Sequence, residues 1–129
     1  MLLELYSIPQ NVAHVEPMLN QVATEIELGE ELYGDILISL TEAVSNAILH
    51  GNKADASKVV RIVMKRQTAQ LAFWISDEGE GFDPKNIPDP TATENLLNVG
   101  GRGVFLMQQL CHDLNFHDNG RTVELKFQL

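Results

Sequence analysis

EELYGDILISLTEAVSNAILHGN, Glu30 to Asn52, decides the reading of this 129-residue chain. Ile36, Leu37, Leu40, Val44, Ala47 and Ile48 recur at helical spacing and form one apolar stripe. On the same helix, Glu42, Asn46 and His50 fall on a different face within an arc of about 80°. Gly51-Asn52 ends the helix in the manner of a left-handed cap. The polar row is the first feature that demands a chemical reason, since the stripe alone explains why the helix packs.

Working outward, Leu2 to Ile8 reads as a first strand, punctuated by Pro9-Gln10-Asn11. Asn11 to Leu28 has helical spacing through Val15, Leu19, Val22 and Ile26, with Pro17 marking a start or a kink and Gly29 closing it. On the other side, Val59 to Lys65 and Leu71 to Asp77 are β-rich runs joined across Arg66 to Gln70, a plausible hairpin. A loop from Glu78 to about Gly100 contains Pro84, Pro88 and Pro90 and is long enough to be functional. Gly103 to Leu110 reads as a helix opening directly from glycines. Leu114 to His117 and Thr122 to Leu129 form a closing hairpin around Asp118-Asn119-Gly120. The order β-α-α-β-β-loop-α-β-β predicts an α+β two-layer sandwich, with helices on one face of a mixed, mostly antiparallel sheet.

Bulk composition narrows the function. A chain with 44% hydrophobic residues can build a core, and 129 residues fit one domain spanning 1–129. Nine basic against 18 acidic residues give a net charge of −9. That disfavours direct nucleic-acid binding, which needs a surplus of cations, and suits a basic partner protein. Cys111 is the only cysteine, which excludes an internal disulfide and a cysteine metal cluster. His14, His50, His112 and His117 lack metal-ligand spacing. The N-terminus has no basic region followed by a long apolar one, and no run approaches transmembrane length, so a cytoplasmic protein without membrane attachment is expected.

Three blocks carry chemistry. Glu42 and Asn46 stand at i and i+4 and project together. An amide oxygen suits Mg²⁺ when phosphate and water supply the other ligands, and a carboxylate one turn away can take a proton from an attacking hydroxyl. Asp77 ends the strand LAFWIS, where a carboxylate can accept a hydrogen bond from an exocyclic amine while Gly79 and Gly81 leave room for a flat ring. Gly100-Gly101-Arg102-Gly103 stands before a helix, whose N–H groups attract phosphate. No Lys-Ser/Thr follows, so this is not a Walker A loop, and it does not directly follow a strand as a dinucleotide fingerprint does. Taken singly, each block also fits a plainer reading: a solvated helix face, a turn after a strand, a glycine loop before a helix. Together they point to ATP.

In this order the blocks resemble the nucleotide site of the GHKL superfamily, which includes gyrase, histidine kinases and MutL. EAVSNAILHG is similar to its N box, DEGEGF to its G1 box and GRGVFLM to its G2 box, and Thr122 stands where the family has a final phosphate-contacting Thr. The closest likeness is to the small bacterial anti-sigma-factor serine/threonine kinases. That resemblance implies the GHKL (Bergerat) fold, ATP and Mg²⁺, with Asn46 as the metal ligand and Glu42 as the general base. It implies that Asp77, Gly79 and Gly81 hold the base, that Gly101, Arg102, Gly103 and Thr122 hold phosphate, that His50 lies at the nucleotide site, and that Phe82 to Val99 is the ATP lid. It further implies phosphorylation of a STAS-domain anti-sigma-factor antagonist, partner switching with a sigma factor, and a homodimer. Glu42 separates the chain from histidine kinases, which generally lack a base there. A noncatalytic nucleotide-dependent binding module and a histidine-kinase-like ATPase lobe are the alternative readings. One departure stands out: such kinases often carry an Arg early in the first helix, and here the stretch NVAHVEP has Glu16 near that position and only Lys85 as a lysine in the lid.

Overall fold

Strand alternation organises the sheet. In a computed structural model that describes residues 2–81 and 99–129, β1 (Leu2–Tyr6), β2 (Val59–Gln67), β3 (Gln70–Ser76), β4 (Asp113–His117) and β5 (Thr122–Gln128) form one sheet in the order β1-β2-β3-β5-β4. Every described pairing is antiparallel, so the parallel component expected of a mixed sheet is absent among the described strands. Successive side chains alternate between faces. Leu5, Val60, Ile62, Leu71, Phe73, Ile75, Val123, Leu125 and Phe127 point to one side and are buried. Phe73 and Phe127 meet edge to face at 6.2 Å between ring centres.

The helices cover that side and leave the other open. A short 3₁₀ turn, Pro9–His14, leads into α1 (Val15–Ile26), so the proline-marked break precedes the α-helix and Pro17 lies in its first turn, where its missing N–H has no partner to lose. The chain leaves α1 through Glu27 in the left-handed region (φ 59°), not through Gly29. Gly29 instead is extended at the N-cap of α2 (Glu30–Asn46), with Glu30 and Glu31 set favourably against the helix dipole. Of the predicted stripe, Ile36, Leu40, Val44, Ala47 and Ile48 are buried and Leu37 is partly buried; Ala43, outside the stripe, is buried with them.

The end of α2 differs from the expected cap. Residues Ala47–Gly51 widen into a π turn, in which Asn52 N–H donates to Ala47 O at 2.8 Å. The left-handed residues are Lys53 (φ 52°) and Ala54 (φ 54°), two positions later than the predicted Gly51-Asn52. Glu30–Gly51 counts 22 residues, and its most apolar 18-residue stretch has a mean hydropathy of 1.2, long and apolar enough to cross a membrane by length and composition alone. The expectation that no run reaches that length is therefore too strong, although the apolar side of this helix is spent on the core.

The last helix, α3 (Val99–Leu110), begins four residues before the predicted Gly103, so Gly100 and Gly101 lie within it instead of ahead of it. It packs against α2, and Met107 is buried in the shared core. The predicted lid, Phe82 to Val99, falls outside the described residues up to 98.

Candidate functional site

Parity carries Asp77 to the helix side of the sheet. Leu71, Phe73 and Ile75 face the core, and Asp77 continues that series at the strand end, beside the last turn of α2. The approach is close. A methyl built on Gly51 would lie 2.3 Å from Asp77 Oδ2, and one on Gly79 would lie 1.9 Å from the Gly51 carbonyl oxygen. Gly51 is thus required by proximity and not by its backbone angle. Gly79 N–H donates to Asp77 Oδ1 at 2.8 Å, turning the chain around the carboxylate. Gly81 adopts φ 80°, and a side chain there would strike Asn119 O at 2.2 Å.

The polar row of α2 meets α3 in the same way. A methyl on Gly103 would lie 2.8 Å from Asn46 Nδ2 and 2.9 Å from Glu42 Oε2. Glycine at this place lets two helices cross with a carboxylate and an amide held between them. The structure therefore brings Glu42, Asn46 and Gly103 together, and Asp77 with Gly79 and Gly51 at the far end of the same helix. His50 is exposed in the π turn. Gly101 and Arg102 lie in the first turns of α3, with side-chain surroundings outside what the structure describes. Thr122 is not gathered with the others: its hydroxyl shares a 2.8 Å hydrogen bond with Ser76 Oγ, and strand alternation places both on the open face. A cavity of about 330 Å³ opens at this end of the sheet between Glu4, Val59, Arg61, Ser76, Asp77 and Glu78.

Burial pushes the Asp77 carboxyl above its ordinary value, opposed by the Gly79 N–H and the Arg121 guanidinium. The nearby Asp118 pushes the same way as burial, and Lys58 against it. An acid raised in the folded state binds its proton more readily than in the unfolded chain. Stability therefore rises as pH falls through the folded-state pKa, and above that pKa the half-buried charge is a net cost. Asp77→Asn is expected to raise the melting temperature of the nucleotide-free protein at neutral pH, with the gain shrinking in mild acid. A neutral-pH melting temperature that drops with this substitution would contradict the assignment of burial as the main cause.

Sequence reasoning missed the residues that hold this corner. Asn52, only 1% exposed, accepts from Glu78 N–H at 2.7 Å and donates to Ser7 Oγ at 2.8 Å and Val59 O at 3.2 Å. Arg121 donates from Nε to Gly79 O at 2.8 Å and from Nη2 to Glu80 O at 3.2 Å. The signal available in the sequence was a polar residue directly after the helix-ending glycine, but its partners are remote in the chain.

Comparison with known proteins gives this geometry a frame. The family described as "Histidine kinase-like ATPase domain" matches residues 6–127. The chain belongs to that family. It is similar to the serine-protein kinase RsbW of Bacillus subtilis strain 168, 28% identical over 124 residues that make up 91% of this chain and 78% of the relative. It is also similar to RsbW of Bacillus licheniformis (27% over 124 residues; 91% and 78%) and of Listeria monocytogenes serovar 1/2a (24% over 128 residues; 94% and 82%). A solved histidine kinase domain from the Erythrobacter litoralis EL346 blue-light activated histidine kinase shares the fold, with a TM-score of 0.53 at 22% identity over 92% of this chain and 59% of that one. In a histidine kinase-like ATPase, ATP use is the family trait, and the contacts of Gly51 and Gly103 join the three sequence blocks into one side of the fold. Among the described residues no cluster of three or more His, Cys, Asp or Glu could hold a metal by itself. A single amide oxygen, from Asn46, fits Mg²⁺, which keeps water and takes phosphate oxygens as its other ligands.

Proposed function

We propose that the chain is a serine/threonine-protein kinase of the anti-sigma-factor type, using Mg-ATP to phosphorylate a STAS-domain antagonist. The observation that carries this reading is the pairing of Glu42 with Asn46 one turn apart under the bare backbone of Gly103. Asp77 accepts the exocyclic amine of adenine, and Gly79 and Gly81 form the floor for the ring. Asn46 Oδ1 ligates Mg²⁺, which when bound neutralises charge on the phosphates. The first N–H groups of α3, with Gly101, Arg102 and Gly103, hold phosphate at a helix N-terminus. Thr122, assigned to phosphate by its place in the motif order, is held by Ser76 at the strand position next to Asp77. Glu42 accepts the proton of the attacking serine or threonine hydroxyl, and in-line transfer otherwise needs positioning and charge neutralisation.

Similarity to the RsbW kinases supports the class of reaction, and the carboxylate supports catalysis over a purely binding role. By this reading the protein regulates transcription by partner switching in the cytoplasm, as a homodimer of one-domain chains, with a sigma factor held when the antagonist is phosphorylated and absent. Glu16, exposed in the first turn of α1, makes that sigma contact differ from one built on an Arg.

Calorimetric titration tests the nucleotide site. Mg-ATP is expected to bind the parent protein, and Asn46→Ala is expected to remove the part of the affinity that depends on Mg²⁺ while leaving metal-free binding in place. Equal affinities with and without Mg²⁺ in the parent would remove Asn46 from its assigned role.

A further inference from the structure

Resting on the adenine reading of Asp77, we infer that Asn52 and Arg121 are positioning residues for base selection, acting on the Asp77 carboxylate from opposite sides. Four backbone groups around the carboxylate are tied by these two residues. On the near side, the Asp77 N–H donates to Arg121 O at 2.9 Å. The next N–H, of Glu78, donates to Asn52 Oδ1 at 2.7 Å, and the Glu78 carboxylate accepts from Val59 N–H at 2.6 Å. On the far side, the carbonyls of Gly79 and Glu80 receive the Arg121 fork at 2.8 and 3.2 Å. These peptides set the direction of the Asp77 side chain, whose carboxylate accepts from the Gly79 N–H and lies against the bare Gly51.

Asn52 is built into this task and not merely tolerated there. Both its donors and its acceptor are engaged, and its amide is aimed by Ser7, which is fully buried and itself donates to Lys58 O at 2.9 Å. A helix stop would need none of that, since the α2 exit is already closed by main-chain bonds from Asn52 N–H to Ala47 O and from Ala54 N–H to Ile48 O. The side chain is left to order the peptides just past the end of β3. Arg121 completes the clamp from the β4–β5 turn with a planar fork that a lysine cannot reproduce.

Affinities for ATP and ITP read the effect, since ITP carries a carbonyl oxygen in place of the exocyclic amine. The parent is expected to prefer ATP by about 10–100-fold, the worth of one hydrogen bond to a charged group. In Asn52→Ala and Arg121→Lys, ATP should lose about tenfold while ITP is unchanged, so the preference shrinks without a general loss of binding. Arg121→Lys keeps the charge at a partly exposed position, so it carries the test if Asn52→Ala does not fold. A parent-like preference in the folded variants overturns the inference, as does an equal loss for both nucleotides, which is the mark of a structural role alone. If the parent itself does not distinguish ATP from ITP, or Asp77→Asn leaves the preference intact, the adenine reading of Asp77 falls and this inference falls with it.

Discussion

Glu42→Gln is expected to slow phosphoryl transfer by about 10²–10⁴-fold while leaving the affinity for Mg-ATP close to that of the parent. The substitution keeps the shape of the side chain and its place against Gly103, where a methyl would come within 2.9 Å of Oε2. It removes only the ability to take a proton. Binding should survive because the contacts assigned to base and phosphate come from Asp77, Asn46 and α3. Single-turnover decay of labelled ATP, in parallel with calorimetry, separates the two quantities. Unchanged turnover in this variant would assign Glu42 to the solvated face of α2 and favour the nucleotide-dependent binding module.

Gly79→Ala should be strongly damaging. The added methyl would sit 1.9 Å from the carbonyl oxygen of Gly51, a main-chain atom in the π turn that cannot rotate away. Either the strand end or the helix end must move, at about 1–3 kcal/mol of stability, and Asp77 moves with it. ATP affinity is expected to fall by about tenfold or more, the worth of the displaced carboxylate's hydrogen bond. Gly34→Ala is the matched control: nothing lies within 4 Å of a methyl there, inside α2. It should stabilise by about 0.5–1 kcal/mol through the unfolded chain and leave ATP binding alone. Thermal melts of both variants, with and without ATP, read these effects. A Gly79→Ala protein that melts and binds like the parent would mean that the two ends do not meet.

Much of this arrangement is legible in the sequence because it is periodic. The stripe from Ile36 to Ile48 and the alternation through Leu71, Phe73 and Ile75 are local patterns, and they place Glu42, Asn46 and Asp77 on the correct faces before any contact is known. The rest escapes because periodicity does not encode it. Gly51 looks like a cap in the sequence, yet its lack of a side chain serves a carboxylate 26 residues away. Asn52 and Arg121 act through single side-chain bonds to remote peptides, which leave no repeating trace. Motif order puts Thr122 among the phosphate contacts, but the register with Ser76 turns its hydroxyl to the other face. The π turn adds a residue to a helix whose composition gives no hint of it.

The seating of β5 between β3 and β4 has a consequence for biosynthesis. Residues 70–76 pair with 122–128, and Leu125 and Phe127 are fully enclosed. A nascent chain that has delivered β1 to β4 but not β5 has a three-stranded sheet with a bare edge at β3, and β4 with nothing to pair to. Such contacts, distant in sequence, are slow to close and leave apolar surface open meanwhile. The Asp77 corner, tied to Arg121 just ahead of β5, cannot assemble before then. Pairing of β5 is thus the step that closes both the core and the Asp77 corner, and a sheet without it has neither.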